Sequence, residues 1–326
     1  MARFTVPRVP RALSRAICVG VMTIMLPASR SALAGPFVPG NILATQSNHL
    51  REYTLSGVLV RDLEVPHPDT SRRDATDVVV DRWGRAHVLN IAPFANDYLS
   101  TYDPLLGTWS HHAVLASLGN ISDGDLAILG DTAFTKHQAI SLLDFSTVNI
   151  SIPGYGVGEI SVGLDGQLYA LDSGSPRHGV RILDPGTYAV IDTLELRDAG
   201  GSRLDARGIA VTAAGDIFAA DWDGRIYAYD RTATLLESPS TGAGNLLDLD
   251  LAADGTMIVG SRFGTVVVTD TSLDSVFRFS AGSGETYVGF VFIPEPGTAL
   301  LLAAGAVLAG LRSTVPNRVS PRWRRR

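Results

Sequence analysis

A short pattern that recurs five times in the chain places an acidic residue, with one exception, just before the apolar core of a predicted strand. These positions are Asp77, Asp125, Glu159, Gly208 and Asp248. If equivalent strands line one channel, four carboxylates would lie near one mouth of it. Facing carboxylates repel unless they are protonated, hydrogen-bonded or bridged by a cation, and Ca²⁺ takes such oxygen ligands readily. The pattern therefore suggests a site for Ca²⁺ or another divalent cation at Asp77, Asp125, Glu159 and Asp248.

A structural role also explains the same carboxylates. Each side chain could accept hydrogen bonds from backbone N–H groups of the neighbouring repeat without binding an ion. Gly208 interrupts the acidic set, no His or Asn repeats nearby, and the sequence contains neither H-E-x-x-H nor G-x-S-x-G. We therefore identify no catalytic residue and no certain cofactor, and we expect a protein that is not an enzyme.

Two tryptophans in predicted turns offer a different chemistry. Trp83 and Trp222 could stack on sugar rings, because an exposed indole presents a flat apolar face. Partial burial against a neighbouring repeat explains both residues as well.

The elements that must position these residues are β-strands. Between residues 41 and 293, short β-branched and aliphatic runs alternate with Gly, Asp and Pro turns. In each repeat a Gly separates the first strand from the second, and an Asp ends the third strand, where its carboxylate favours a turn. The glycines are Gly84, Gly130, Gly166, Gly215 and Gly255, and the aspartates are Asp103, Asp144, Asp184, Asp230 and Asp270.

The aspartates are spaced 41, 40, 46 and 40 residues apart. Four strands per unit at this period predict an all-β fold, a β-propeller. Residues 41–64 resemble the second, third and fourth strands of a unit, and residues 286–293 resemble its missing first strand. Pairing the two ends would give six four-stranded blades in a closed ring without exposed edges. A further weak blade within 61–76 and a β-sandwich are the alternatives, although a sandwich would not explain the Asp spacing.

The two ends of the chain are basic, whereas the body is acidic. Five of the 27 basic residues lie in residues 1–34 and six in 312–326, which leaves 16 in the body against all 33 acidic residues. Such a body does not favour phosphate backbones, so we expect no nucleic-acid partner.

Residues 1–34 have the layout of a secretory signal peptide. An Arg-rich start precedes the apolar residues 16–26, and Ala32-Leu33-Ala34 predicts cleavage after Ala34. Cys18, the only cysteine, would leave with this segment. A buried helix is the alternative interpretation.

The C-terminal residues 294–326 combine three features in a fixed order. Pro294, Glu295 and Pro296 precede an apolar predicted helix, 297–311, and a basic stop follows. The stop includes Arg312, Arg322, Arg324, Arg325 and Arg326. The segment resembles the PEP-CTERM sorting signal of exported bacterial proteins. That resemblance implies an exosortase-type membrane processing enzyme as a partner and delivery to the cell envelope or extracellular matrix.

The apolar helix is short for a permanent membrane span. Its 15 residues would cover roughly 22 Å, against about 30 Å of hydrocarbon. A transient stop before processing does not require the full length of a permanent span. A plain C-terminal anchor with a chance Pro-Glu-Pro is the alternative.

Two hypotheses about function follow from this three-part chain of signal peptide (1–34), propeller (35–293) and sorting signal (294–326). The first is an exported, non-catalytic protein, membrane-anchored at least transiently, that binds polysaccharide or an envelope protein. The alternative is a metal-dependent hydrolase or lyase. It would resemble the propeller lactonases, which place a divalent metal near the channel.

Overall fold

A computed structural model describes seven stretches of the chain: residues 35–69, 74–91, 97–114, 126–136, 138–150, 157–172 and 179–291. They form six four-stranded antiparallel sheets in a propeller arrangement, which confirms the predicted all-β fold and the blade count. The signal peptide with Ala32 and Ala34, the sorting segment 294–326 and Asp125 lie outside the described residues. No helix within the described part of the chain is long and apolar enough to cross a membrane.

Blade 1 combines strands from both ends of the chain, and blades 2 to 6 follow in sequence order. Within each blade, the strands are named from the innermost outward. Blade 1 consists of β24 (Thr286–Phe290), β1 (Ile42–Gln46), β2 (His49–Tyr53) and β3 (Leu59–Glu64). Blade 2 consists of β4 (Asp74–Val80), β5 (Ala86–Ile91), β6 (Asp97–Asp103) and β7 (Thr108–Val114). Blade 3 consists of β8 (Ala127–Leu129), β9 (Thr132–Phe134), β10 (Gln138–Ser141) and β11 (Thr147–Asn149). Blade 4 consists of β12 (Val157–Val162), β13 (Leu168–Asp172), β14 (Gly179–Leu183) and β15 (Val190–Leu194). Blade 5 consists of β16 (Ala206–Val211), β17 (Ile217–Asp221), β18 (Ile226–Tyr229) and β19 (Leu235–Glu237). Blade 6 consists of β20 (Leu246–Leu251), β21 (Thr256–Ser261), β22 (Thr265–Asp270) and β23 (Phe277–Ser280).

The ring closes through blade 1, as the sequence predicts. β24 pairs antiparallel with β1, with Val288 opposite Ala44, and the Val291 N–H donates to the Asn41 carbonyl at 3.0 Å. Each innermost strand contacts the innermost strand of the next blade all the way round, from β4 through β8, β12, β16 and β20 to β24 and back to β4. Closure leaves only the outer strands as edges, which limits edge-to-edge aggregation.

The predicted turn residues adopt the geometries that their chemistry favours. The five glycines between first and second strands all have positive φ, for example 80° at Gly166. The Asp184 carboxylate accepts hydrogen bonds from the N–H groups of Gly186 and Thr187, at 3.1 and 2.7 Å. Blade 1 has Thr54 at the equivalent position, where its hydroxyl accepts from the Val58 N–H at 3.1 Å.

The hydrophobic core lies between adjacent sheets. One cluster packs Phe218 of blade 5 against Leu249 and Met257 of blade 6. Innermost strands such as β16 and β24 are therefore largely buried on both faces, whereas outer strands such as β3 are mostly exposed.

Candidate functional site

Four of the inner strands contain a β-bulge immediately before the position that the repeat pattern identifies. The register shifts between Ala75 and Asp77 in β4 and between Leu246 and Asp248 in β20. The same shift precedes Glu159 in β12 and Gly208 in β16. A bulge bends the strand and redirects the side chain that follows it. In this ring, the three described acidic side chains at the bulges reach the next blade.

Each of these three carboxylates accepts a hydrogen bond from the backbone of the neighbouring blade. Asp77 accepts from the Leu126 N–H at 2.7 Å, where the chain enters β8. Glu159 accepts from Ile209 in β16 at 3.2 Å, and Asp248 accepts from Val288 in β24 at 2.6 Å. All three side chains are buried. The arrangement is the interblade cap that the sequence left open as an alternative to metal binding.

Gly208 departs from the acidic pattern for a steric reason. A Cβ on this residue would lie 2.7 Å from the Leu249 nitrogen and 2.8 Å from the Asp248 carbonyl carbon. Neither backbone atom can move without displacing β20. The inner strands of blades 5 and 6 therefore approach too closely to admit a carboxylate between them.

A second carboxylate, Asp250, follows Asp248 on the same side of β20. Asp250 accepts a hydrogen bond from the Phe290 N–H at 2.8 Å, so two acidic residues bind two N–H groups of β24. Burial raises the pKa of both carboxyl groups, and the backbone hydrogen bonds only partly oppose that shift. The pair thus holds protons more readily than exposed aspartates do.

Among the described residues, no group of three or more His, Cys, Asp or Glu could hold a metal ion. Asp125, one of the four predicted ligands, lies outside the described residues. The divalent-cation site at Asp77, Asp125, Glu159 and Asp248 therefore stays a prediction.

The structure reveals a second polar layer that sequence reasoning missed. Near the end of the second strand, one residue pairs with the residue that precedes the bulge. In each of these blades that residue is polar and buried. These residues include Asn90, Asp172, Asp221 and Ser261, with Gln46 at the corresponding place in blade 1. Asp172 pairs with Arg181 at 2.8 Å. Burial, with a smaller contribution from Asp223, raises the pKa of Asp221 to about 6.

Trp222 lies beside Asp221, in the turn between β17 and β18. The guanidinium carbons of Arg207 and Arg262 each lie 5.3 Å from the indole ring centroid. Arg207 also faces Asp205 at 3.4 Å, and Arg262 faces Glu285 at 3.4 Å. Because Arg262 belongs to blade 6, the half-buried Trp222 joins two blades. We refer to Asp205, Arg207, Trp222, Arg262 and Glu285 as the Trp222 cluster.

Trp83 lies at the opposite end of the sheets, in the turn between β4 and β5. Its ring is 42% exposed and has Arg82 and Arg85 at 4.6 and 4.7 Å from the centroid. The two turn tryptophans therefore face different ends of the ring, and each is accompanied by arginines.

A buried hydroxyl–imidazole–carboxylate chain lies in blade 2. His87 places one ring nitrogen 2.9 Å from the Asp81 carboxylate and the other 2.9 Å from the Thr101 hydroxyl. The connectivity resembles that of a nucleophilic triad, but His87 is fully buried and Thr101 nearly so. Burial also lowers the pKa of His87. No substrate can reach this hydroxyl, so the network stabilises the blade.

These features define the class of protein: a six-bladed β-propeller with polar interblade joints. Among solved structures, the chain is similar to streptogramin B lyase, with a TM-score of 0.53 and 12% identity over 77% of this chain and 84% of that chain. It also aligns with apo AztD from Citrobacter koseri, with a TM-score of 0.48 and 9% identity over 76% of this chain and 97% of that chain. At these identities the likeness shows the fold alone. No family model and no curated protein matches the sequence.

Proposed function

We propose that this protein is an exported, non-catalytic propeller that binds polysaccharide at the cell envelope or in the extracellular matrix. Its N-terminal segment would direct export, and residues 294–326 would hold it at the membrane for an exosortase-type processing enzyme. The order of charges and apolar runs at the two ends of the chain supports this destination.

One observation supports a non-catalytic body above all others. The inner carboxylates Asp77, Glu159 and Asp248 each accept a hydrogen bond from the backbone of the next blade. An active site would need polar groups aimed at open space, whereas these groups join the blades.

The Trp222 cluster is the surface that best suits a sugar. A pyranose has an apolar face that stacks on an indole and a rim of hydroxyls that needs donors and acceptors. Arg207 and Arg262 supply donors, while Asp205 and Glu285 supply acceptors. A bound sugar would displace an arginine guanidinium from the indole, and the sugar ring would then stack on the indole in its place.

Trp222→Ala tests this assignment, with Trp83→Ala as the matched control at the opposite end of the ring. On a polysaccharide array, we expect Trp222→Ala to weaken binding about tenfold, or about 1.4 kcal/mol. Trp83→Ala should bind like the wild type. Equal binding by all three proteins would overturn the assignment to Trp222, and no binding to any array member would overturn the polysaccharide ligand.

The metal-dependent hydrolase or lyase is the second candidate, and one observation favours it. The raised pKa values of Asp248 and Asp250 are typical of carboxyl groups that act as general acids. Asp125→Asn and Asp248→Asn would abolish turnover in such an enzyme. In a binding scaffold they would change stability at most.

A further inference from the structure

One end of the ring carries exposed apolar turns. Interblade hydrogen bonds join equivalent positions of the inner strands, so these strands run in the same direction around the ring. The turns between first and second strands and between third and fourth strands therefore share one end, which we call the turn face. On it, three adjacent blades expose large apolar side chains, which we together call the apolar turn patch: Leu55, Val58, Trp83, Leu105, Leu106 and Leu143.

Three leucines of the apolar turn patch are mostly exposed to solvent and are not packed in the core. Leu105 is 69% exposed, Leu106 is 72% exposed and Leu143 is 67% exposed. In the described turn-face loops of blades 4 to 6, the exposed large apolar residues are Leu164 and Val276, at 42% and 39%. The apolar turn patch therefore occupies one half of the turn face, and clustered apolar exposure of this kind marks an interaction surface.

Charge divides the turn face in the same way. In the patch half, the turn-face loops contain four acidic residues, Asp81, Asp103, Asp131 and Asp144, against Arg82 and Arg85. Asp81 pairs with Arg85 and Asp131 pairs with Arg82, each at 2.7 Å. The turn-face loops of blades 4 to 6 contain seven acidic residues and one basic residue, Arg231. The acidic residues are Asp165, Asp184, Asp216, Asp230, Asp254, Asp270 and Asp274. The turn-face loops of blades 4 to 6 therefore carry a net charge of −6 (seven acids less one arginine), whereas those of the patch half carry −2 (four acids less two arginines).

The chain leaves the propeller from the patch half. Val291, the last described residue, follows β24 in blade 1 at the turn face. Five residues, 292–296, separate it from the apolar run 297–311. Five extended residues reach at most about 18 Å. If that run enters a bilayer, the turn face must lie close to the lipid surface.

We propose that the apolar turn patch rests on a lipid bilayer, with residues 292–296 as the tether and the acidic half of the turn face turned away from the lipid. The inference rests on the membrane insertion of 297–311 in the proposed function. Leucine and tryptophan side chains favour the interfacial region of a bilayer. The short tether raises the effective concentration of the patch at the membrane, so weak insertion suffices.

Site-specific quenching in the full-length chain tests this orientation. The chain, with Cys18→Ser, is reconstituted into phosphatidylcholine vesicles, and a fluorophore is attached at Leu106→Cys or at Ser272→Cys. Both positions lie in turns between third and fourth strands, but position 106 is in the apolar turn patch and position 272 is in the acidic half. With doxyl-labelled lipids, we expect at least threefold stronger quenching at position 106 than at position 272. Equal quenching, or none at either position, would overturn the orientation.

Flotation of the same vesicles separates this inference from the proposed function on which it rests. A chain that floats but shows no difference in quenching retains its anchor and contradicts only the orientation. A chain that does not float contradicts membrane insertion itself, and the orientation with it.

A double variant provides an independent readout. Leu105→Ser with Leu106→Ser should reduce quenching of a fluorophore at Leu143→Cys at least twofold. Leu236→Ser, an equally exposed leucine on the outer strand β19, should not. A second copy of the chain could instead shield the fluorophore at position 143, and the protein would then form a concentration-dependent dimer. That result would overturn the lipid assignment.

Discussion

At the scale of single residues, Asp248 combines a useful hydrogen bond with a costly buried charge. Its carboxylate binds the Val288 N–H across the joint between blades 6 and 1, and burial raises its pKa. The position therefore stabilises the neutral form of the carboxyl group more than an exposed site does. Its role in stability can be separated from its charge by two substitutions.

Asp248→Asn keeps an acceptor oxygen without the charge, whereas Asp248→Ala leaves the Val288 N–H buried without this acceptor. We expect the Asn variant to unfold within about 1 kcal/mol of the wild type and the Ala variant to lose about 3 kcal/mol. Urea denaturation of both variants at pH 7 measures the difference. An Ala variant as stable as the Asn variant would contradict the interblade cap.

Asp221 predicts a pH dependence of the free energy of unfolding. Its pKa in the folded protein is about 6, above the ordinary value of 3.8. The native state therefore binds the proton more tightly, and this group lowers stability as pH rises from about 4 to about 6. Asp221→Asn should remove that slope and stabilise the protein at pH 7 by about 1 kcal/mol, a value reduced for partial solvation.

Urea denaturation at pH 4, 5, 6 and 7 checks this prediction. Asp254→Asn, at an exposed turn aspartate on the other end of the ring, is the control and should leave the slope unchanged. An Asp221→Asn profile that parallels the wild-type profile would contradict the assignment.

At the scale of elements, the approach of β16 to β20 predicts an unequal response of two glycines to the same substitution. Gly208→Ala would force a Cβ against the Leu249 backbone and should cost about 2–3 kcal/mol. Gly244→Ala has no heavy atom within 4 Å of its new Cβ and should cost less than about 0.5 kcal/mol. Thermal unfolding of both variants provides the comparison, and equal melting temperatures would contradict the packing described.

The strands and turns were predictable because their determinants are local. Gly166 needs positive φ and Asp184 accepts from N–H groups two and three residues on, and both features recur at a nearly constant period. For the joints between blades, the sequence left a backbone cap and a metal site as alternatives, because the partners lie far apart in the chain. Gly208 breaks the acidic pattern because of a backbone 41 residues away, and Arg262 meets Trp222 across 40 residues. His87 has no distinctive spacing at all, so only its burial between Asp81 and Thr101 reveals its role.

At the scale of the whole molecule, the propeller depends on the pairing of its two ends. Deleting residues 286–326 removes β24, exposes the edge of β1 and leaves the interblade cap from Asp248 without its partner. We expect this variant to lose cooperative unfolding and to aggregate. Deleting only 294–326 should leave the melting temperature within about 2 °C of the full-length value, measured in detergent. Cooperative folding of the shorter chain would contradict ring closure as a requirement.

We propose that the inner carboxylates join the blades and hold no catalytic metal. The most direct test is the divalent cation content of the purified protein by mass spectrometry, with the melting temperature recorded in the presence and absence of a chelator. We expect no stoichiometric ion and no change in melting temperature. One bound ion per chain, whose removal lowers the melting temperature in the wild type but not in Asp77→Asn, would contradict it.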